Sequence, residues 1–133
     1  MIKIVQISDL HISQNIHDNK HDCTPFQKLA SVLDDIQKNH SDLSGLIITG
    51  DLSNDYTLES YINIKTLLKR YEFDMRILPG NHDDIDMIRN ICDDQIRTSA
   101  FQYPNEDLLT YNCDTHIQDK ARGFVRSSEI EEL

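Results

Sequence analysis

The sequence predicts an α/β fold, in which strands and helices alternate as βαβαβ around a mostly parallel sheet. Short apolar segments rich in branched side chains occupy residues 2–8, 43–49 and 73–79, as is typical of buried strands. Between them, apolar residues recur every three to four positions, as on the buried face of a helix. Units of this kind cross over with a right hand, which places successive strands parallel to one another.

The two longer helices have recognisable starts. Thr24 is placed to act as the N-cap of the first helix, with Pro25 at its first helical position. The apolar residues that follow at helical spacing are Phe26, Leu29, Ala30, Leu33 and Ile36. The second helix is expected from about Thr57, with an apolar stripe of Leu58, Tyr61, Ile64, Leu68 and Tyr71. Each helix therefore has one face to bury against the sheet.

The later part of the chain is expected to add three shorter elements. Apolar residues within 85–92 indicate a short third helix, and residues 108–113 are interpreted as a fourth strand. Ser128 and Glu131 have the spacing of a capping box, which predicts the start of a last helix.

Composition and charge limit the classes of protein to which this chain can belong. The chain has 133 residues, enough for one domain with its own core. No apolar stretch approaches the roughly 20 residues of a membrane span, so no membrane partner is expected. With 23 acidic and 13 basic residues the net charge is −10, which repels polyanions and disfavours a nucleic-acid partner. The chain has three cysteines, Cys23, Cys92 and Cys113, and an odd number suits a reducing compartment better than a framework of disulfides. A cytoplasmic location is therefore expected.

Polar side chains that bind metals follow each of the three predicted strands. Asp9 and His11 come after the first, Asp51 after the second, and the turn at 80–83 after the third. The carboxyl ends of parallel strands form one edge, where ligands bind. In extended chain, residues i and i+2 face the same way, so Asp9 and His11 could hold one ion together. We therefore predict a metal site at this edge.

The turn at 80–83 adds two further expectations. Asn81 and His82 are adjacent, so one can ligate a metal while the other points elsewhere. Gly50 and Gly80 allow sharp turns and close approach of the two loops. Spacing alone does not decide which of Asn81 and His82 is the ligand.

Three motifs, SDLH (residues 8–11), GDLS (50–53) and GNHD (80–83), make the chain resemble the calcineurin-like metallophosphoesterases. The segment LLTYNCDT, with a later glycine and SSEIEEL, is most similar to class III cyclic nucleotide phosphodiesterases. The resemblance implies the N-terminal half of a four-layer α/β/β/α sandwich. Residues 1–133 would then form one such domain, truncated on its C-terminal side.

The resemblance implies a role for each matching ligand position. Asp9 and His11 would hold the first of two divalent ions, and Asp51 would bridge both. Asn81 would bind the second ion through its amide oxygen. Oxygen and nitrogen donors without thiolate suit Mn, Fe or Zn, among which the sequence does not choose.

The resemblance also implies a reaction, the hydrolysis of a small phosphodiester such as a 3',5'-cyclic nucleotide. A hydroxide shared by the two metals would attack phosphorus in line with the leaving oxygen. His82 would approach the substrate as a candidate general acid, and Asp83 would orient its imidazole.

The sequence departs from the family pattern after residue 83. The later metal-binding histidines of the family are missing, and His116 is predicted to be a surface residue. One face of the sheet would then be an exposed apolar patch, suited to a dimer or a complementing chain. The alternative function is therefore a catalytically incomplete metal-binding or scaffold module. A nuclease of the same superfamily is disfavoured by the net charge.

Overall fold

A computed structural model of the chain describes residues 1–19, 24–98, 113, 115–117, 120 and 122–131. Its strands are β1 (Ile4–Ile7), β2 (Gly45–Thr49), β3 (Met75–Leu78) and β4 (Ile96–Arg97). Its helices are α1 (Pro25–Asn39), α2 (Leu58–Leu68), α3 (Ile85–Ile91) and α4 (Ser127–Glu131). The alternation of strands and helices confirms the predicted α/β class.

The four strands form one parallel sheet in the order β1-β2-β3-β4. Ile48 lies beside Ile7 of β1 and Ile77 of β3, so the apolar residues of neighbouring strands are in register. A helix lies between each pair of successive strands in the chain, so the sheet has the βαβ organisation that the sequence predicts.

The core lies on the face of the sheet that the helices cover. Leu29, Leu33 and Ile36 of α1 are buried, at the spacing of one helix face. They pack in one cluster with strand residues such as Ile48 and Ile77, both fully buried. In α2 the predicted residues Tyr61, Ile64 and Leu68 are likewise buried, as the hydrophobic effect requires. Leu58, also predicted to lie on the buried stripe, is instead 43% exposed in the first turn of the helix.

The opposite face of the sheet is more polar than expected. Register places Gln6, Ile47, Arg76 and Arg97 in one row across it. Arg76 is buried, and its guanidinium and that of Arg97 both contact Asp74 Oδ1, at 2.5 and 2.8 Å. The predicted apolar patch is therefore interrupted by charged and amide side chains, because each strand alternates apolar and polar residues.

The helix caps differ in how they are made. Thr57, at the predicted start of α2, is its N-cap, and the Thr57 hydroxyl accepts from Ser60 N. Thr24 stands at the N-cap of α1 but makes no side-chain capping bond, so Pro25 is the stronger start signal there. Asp84 caps α3 and accepts from two backbone N–H groups of its first turn.

Among the shorter elements, the sheet has a strand that the sequence analysis did not predict, and the last helix begins earlier than predicted. The fourth strand of the sheet is Ile96–Arg97, a pair too short to show an alternating pattern. Most of the predicted strand at 108–113 lies outside the described residues. Helix α4 begins at Ser127, so Ser128 lies inside the helix rather than at its cap.

Two further observations concern the cysteine thiols and the length and polarity of the helices. Cys92 and Cys113 carry free thiols. Across the described residues, every helix is too short or too polar to cross a bilayer.

Candidate metal centre

The loops after β1 and β2 run side by side beyond the end of the sheet. Asp9 N donates to Gly50 O at 3.1 Å, and His11 N donates to Asp51 O at 2.9 Å. These backbone bonds continue the pairing of the two strands into the loops. They bring the side chains of Asp9 and His11 next to that of Asp51.

The three side chains form a cluster with metal-binding geometry. His11 Nε2 lies 3.8 Å from Asp9 Oδ1 and 3.8 Å from Asp51 Oδ2. One ligand atom from each residue lies within 4.8 Å of the other two. Two donors that each bind one ion at about 2.1 Å are at most about 4.2 Å apart, so both His11 contacts fit a shared ion. Two carboxylates and an imidazole are also donors that first-row divalent ions accept.

The backbone of this cluster is held in an uncommon conformation. In the described part of the chain, four non-glycine residues have positive φ: Asp9 (57°), His11 (46°), Asp51 (52°) and Tyr56 (58°). Such conformations persist only where the surroundings enforce them, and they concentrate at functional sites. Three of these four residues are the metal cluster.

This conformation corrects the reason given for the pairing of Asp9 and His11. The prediction placed them on extended chain, where alternate side chains face the same way. In the structure both residues are left-handed, and the loop turns them toward Asp51. Leu10 between them is buried.

The loop after β3 reaches the cluster through two glycines. A Cβ at Gly80 would lie 2.1 Å from Asp51 Oδ1, and one at Gly50 would lie 2.7 Å from Gly80 Cα. Only residues without side chains allow this approach, which confirms the prediction for both positions. As a result, His82 N donates to Asp51 Oδ1 at 3.1 Å.

Asp51 is therefore the central carboxylate of the site. Its Oδ2 faces His11 and its Oδ1 faces the turn after β3. Its side chain is 16% exposed, against 40% for His11 and 65% for Asp9. A carboxylate that presents one oxygen to each side can contact ions on both sides.

Asn81 lies between Gly80 and His82, the two residues that contact Asp51. It also lines a cavity of about 160 Å³ beneath a later segment of the chain. That segment contributes Thr115, His116, Ile117, Lys120, Arg122 and Gly123. The cavity thus adds two cationic side chains beside Asn81, which the sequence analysis did not single out.

The position of His116 corrects a prediction. It was expected on the surface, but it is partly buried and lines the cavity beside Asn81. Sequence spacing does not indicate this position, because residues 81 and 116 are far apart in the sequence and only the tertiary structure places them beside the same cavity.

The imidazole of His82 contacts two other rings. Its Nδ1 lies 3.0 Å from Tyr56 Oη, and the ring centroids are 6.1 Å apart. The His11 ring packs edge-on to the same imidazole, with the centroids 6.0 Å apart. His82 thus lies beside the metal cluster without belonging to it.

Asp83 is not the partner of that imidazole. Its side chain is fully buried, and all of its hydrogen bonds go to other groups. The donors are the backbone N–H groups of Leu52, Ser53 and Gly80 and the hydroxyl of Tyr61. Burial raises the pKa of the Asp83 carboxyl, and these donors act against that shift. The predicted contact with His82 is corrected, because this carboxylate ties together the loops after β2 and β3.

The geometry agrees with comparisons to known proteins. The family model for calcineurin-like phosphoesterases matches residues 2–129. A probable cyclic nucleotide phosphodiesterase of Coxiella burnetii is 33% identical over 97% of the chain and 51% of its own length. A 3',5'-cyclic-nucleotide phosphodiesterase of Nostoc sp. is 28% identical over 99% of the chain and 50% of its own length. The chain spans about half the length of these curated relatives.

The donor set fits what this family requires. Calcineurin-like phosphoesterases use divalent metals, and Asp9, His11 and Asp51 offer oxygen and nitrogen donors close enough to share an ion. The motifs at the three strand ends, the parallel sheet and the match over residues 2–129 agree with one another. The chain belongs to the calcineurin-like phosphoesterase family.

Proposed function

We propose that this chain carries the N-terminal part of a metal-dependent phosphodiesterase centre. The observation that supports this most directly is the convergence of Asp9, His11 and Asp51, with the imidazole of His82 beside them. Residues 1–133 would supply one half of the catalytic domain.

In this proposal, Asp9 and His11 would hold one divalent ion and Asn81 would hold a second. Asp51 would contribute to both, and its central position and its two separately directed oxygens support this role. When bound, such ions supply Lewis-acid stabilisation of the charge that develops on the phosphoryl oxygens. Mn, Fe and Zn all accept this donor set.

His82 then acts on the leaving group. Water attacks phosphorus and releases a proton to solvent, the bond from phosphorus to the ester oxygen breaks, and that oxygen takes a proton from the protonated imidazole. The exposed ring beside the metal cluster supports this role, because the group must reach substrate without being a ligand itself.

The proposed substrate is a small phosphodiester, with 3',5'-cyclic nucleotides as the first class to test. Relatives from two bacteria are named as cyclic nucleotide phosphodiesterases. The net charge of −10 argues against long nucleic acids. Lys120 and Arg122 near Asn81 provide local positive charge for a phosphate.

The test is metal-dependent hydrolysis by the purified chain. Bis(4-nitrophenyl) phosphate and 3',5'-cyclic AMP should be cleaved in the presence of Mn²⁺ and not after chelation. Asp51→Asn should remove this activity. Asp86→Asn, an exposed carboxylate paired with Arg89, is the matched control and should retain it. Activity that survives chelation or the Asp51 change would reject the proposal.

A second candidate is a metal-binding module without turnover. It is favoured by the four donor residues named here, which are too few to saturate two ions, and by the half-length match to relatives. Calorimetric titration with Mn²⁺ separates the two. Binding of one ion without hydrolysis supports the module, whereas hydrolysis supports the enzyme. Gel filtration would show whether a second copy covers the open sheet face, as a dimer would require.

A further inference from the structure

Tyr56 is the most unusual residue near the proposed centre. It has φ of 58° in the loop after β2. Asp and His enter the left-handed region several times more often than most residues, but for a bulky side chain this is an outlier. The other three non-glycine residues with positive φ in the described chain are the metal cluster.

Hydrogen bonds hold the loop around Tyr56 in place. Tyr56 N donates to Ser53 Oγ at 2.9 Å, and Ser53 Oγ lies 2.7 Å from Ser60 Oγ in the first turn of α2. Thr57 Oγ1 donates to Asp55 Oδ1 at 2.8 Å. The loop is thus anchored to α2 on both sides of Tyr56, which can maintain a disfavoured backbone conformation.

The contact that this conformation provides is with His82. Tyr56 Oη lies 3.0 Å from His82 Nδ1, a hydrogen-bonding distance across 26 residues of sequence. The two rings are tilted by 39°. Asp83, the expected partner of the imidazole, makes its hydrogen bonds elsewhere.

We infer that Tyr56 is a positioning residue for His82, an inference that rests on the proposed phosphodiesterase function. An imidazole has two ring nitrogens, and a bond to one of them fixes both the tautomer and the ring direction. With Nδ1 held by Tyr56, Nε2 is the nitrogen left to meet substrate. The His11 ring also packs edge-on to this imidazole, with the ring centroids 6.0 Å apart.

This role predicts a specific kinetic pattern. Tyr56→Phe keeps the ring and the backbone but removes the hydroxyl. We expect kcat to fall by about 10-fold on a phosphodiester with an alkyl leaving group, with KM nearly unchanged. The loss should be much smaller with a 4-nitrophenyl ester, whose leaving oxygen needs no proton. Combined with His82→Ala, the Tyr56 change should cause no further loss.

Two variants control for structural effects. Tyr71→Phe removes another tyrosine hydroxyl bond, to Asp34, and should leave kcat unchanged. Tyr56→Gly removes the ring while suiting the left-handed backbone, so it should fold and lose at least as much activity as Tyr56→Phe. Equal losses on both leaving groups, or additive losses with His82→Ala, would overturn the inference.

A spectroscopic measurement does not depend on turnover. Long-range ¹⁵N–¹H spectra at a fixed neutral pH report the tautomer of His82, with His82→Gln used to assign its signals. The wild-type chain should show one tautomer and Tyr56→Phe a mixture. Unchanged His82 signals would overturn the inference, whatever the activity. A changed spectrum in a chain without any hydrolysis would instead reject the proposed function and leave the positioning intact.

Discussion

Asp51 and Asp83 lie in the neighbouring loops that follow β2 and β3, and their carboxylates are used in opposite ways. Asp51 has a left-handed backbone, and its oxygens point toward His11 and the turn after β3. Asp83 is fully buried and accepts hydrogen bonds from three backbone N–H groups and one hydroxyl. The Asp51 carboxylate faces the candidate metal site, whereas the Asp83 carboxylate holds the loops after β2 and β3 together.

The comparison shows what separates a candidate ligand from a structural acid. An ionised carboxylate has about four lone-pair positions. The hydrogen bonds that Asp83 accepts occupy its lone-pair positions, so no lone pair is left to bind a metal. Asp51 has one backbone donor, from His82, and keeps its remaining lone pairs. Similar residues at neighbouring strand ends can therefore have different functions, and their hydrogen bonds distinguish them.

The largest expected effect comes from Asp51→Asn. It should lower metal-dependent hydrolysis by on the order of 1,000-fold, because the bridging charge is lost. The free energy of unfolding should change by only about 0.5 kcal/mol, since Asn tolerates the left-handed backbone. Kinetic assays with Mn²⁺ and urea unfolding measure the two quantities. A variant that unfolds easily would contradict the assignment of Asp51 to the open site.

The reverse pattern is expected for Asp83→Asn. In the variant, the amide NH2 would face backbone N–H groups that now donate to the Asp83 carboxylate. These buried N–H groups would then have no acceptor. The free energy of unfolding should fall by about 3 kcal/mol. Urea unfolding at pH 7 measures this loss. A variant as stable as the wild type but inactive would show that Asp83 has a direct catalytic role.

The variant Tyr61→Phe tests how much one hydrogen bond to the buried Asp83 carboxylate contributes to stability. The Tyr61 hydroxyl donates to Asp83 at 3.2 Å and accepts from Asp84 N at 2.8 Å, and burial raises its pKa. Its removal should cost about 1.5 kcal/mol of unfolding free energy. Thermal unfolding with Tyr71→Phe as the reference would measure it. No change in stability would imply that the Asp83 network tolerates the loss of a donor.

The smallest effect concerns Asp93, a carboxylate paired with lysines rather than with backbone alone. Lys69, the N–H groups of Ile96 and Gln95, and Lys65 hold its pKa below the usual value. Its contribution is therefore present above pH 3.8 and lost as the pH falls below it. Asp93→Asn should cost about 1 kcal/mol at pH 7 and less at pH 2, where part of the contribution is already lost. Unfolding measured across this range gives the difference, which a pH-independent cost would contradict.

Asp83 is expected to behave in the opposite sense. Because burial raises its pKa, the folded state binds its proton more tightly than the unfolded state. The stability that this carboxyl contributes is thus greatest at low pH and decreases as the pH rises above 3.8. The two acids extend the comparison of buried and exposed carboxylates from geometry to pH dependence.

Much of the fold and of the candidate site could be predicted from the sequence. Strands β1 to β3 and helices α1 to α3 follow from residue periodicity, which depends on local geometry and on burial of apolar side chains. The sequence also placed Asp9, His11 and Asp51 at one edge, because parallel strands end together. Gly50 and Gly80 were correctly expected to allow close approach, since no other residue fits there.

The tertiary structure decided which side chains meet within that edge. The contact of Tyr56 with His82, the burial of Asp83 and the place of His116 beside Asn81 depend on how the loops fold. Left-handed backbone at Asp9, His11, Asp51 and Tyr56 is maintained by tertiary contacts, and Tyr56 depends on them most because its bulky side chain disfavours this conformation. Residue types at strand ends thus determine the chemistry that is available. The packing of one loop on another determines which groups bind, which donate and which only hold the loops together.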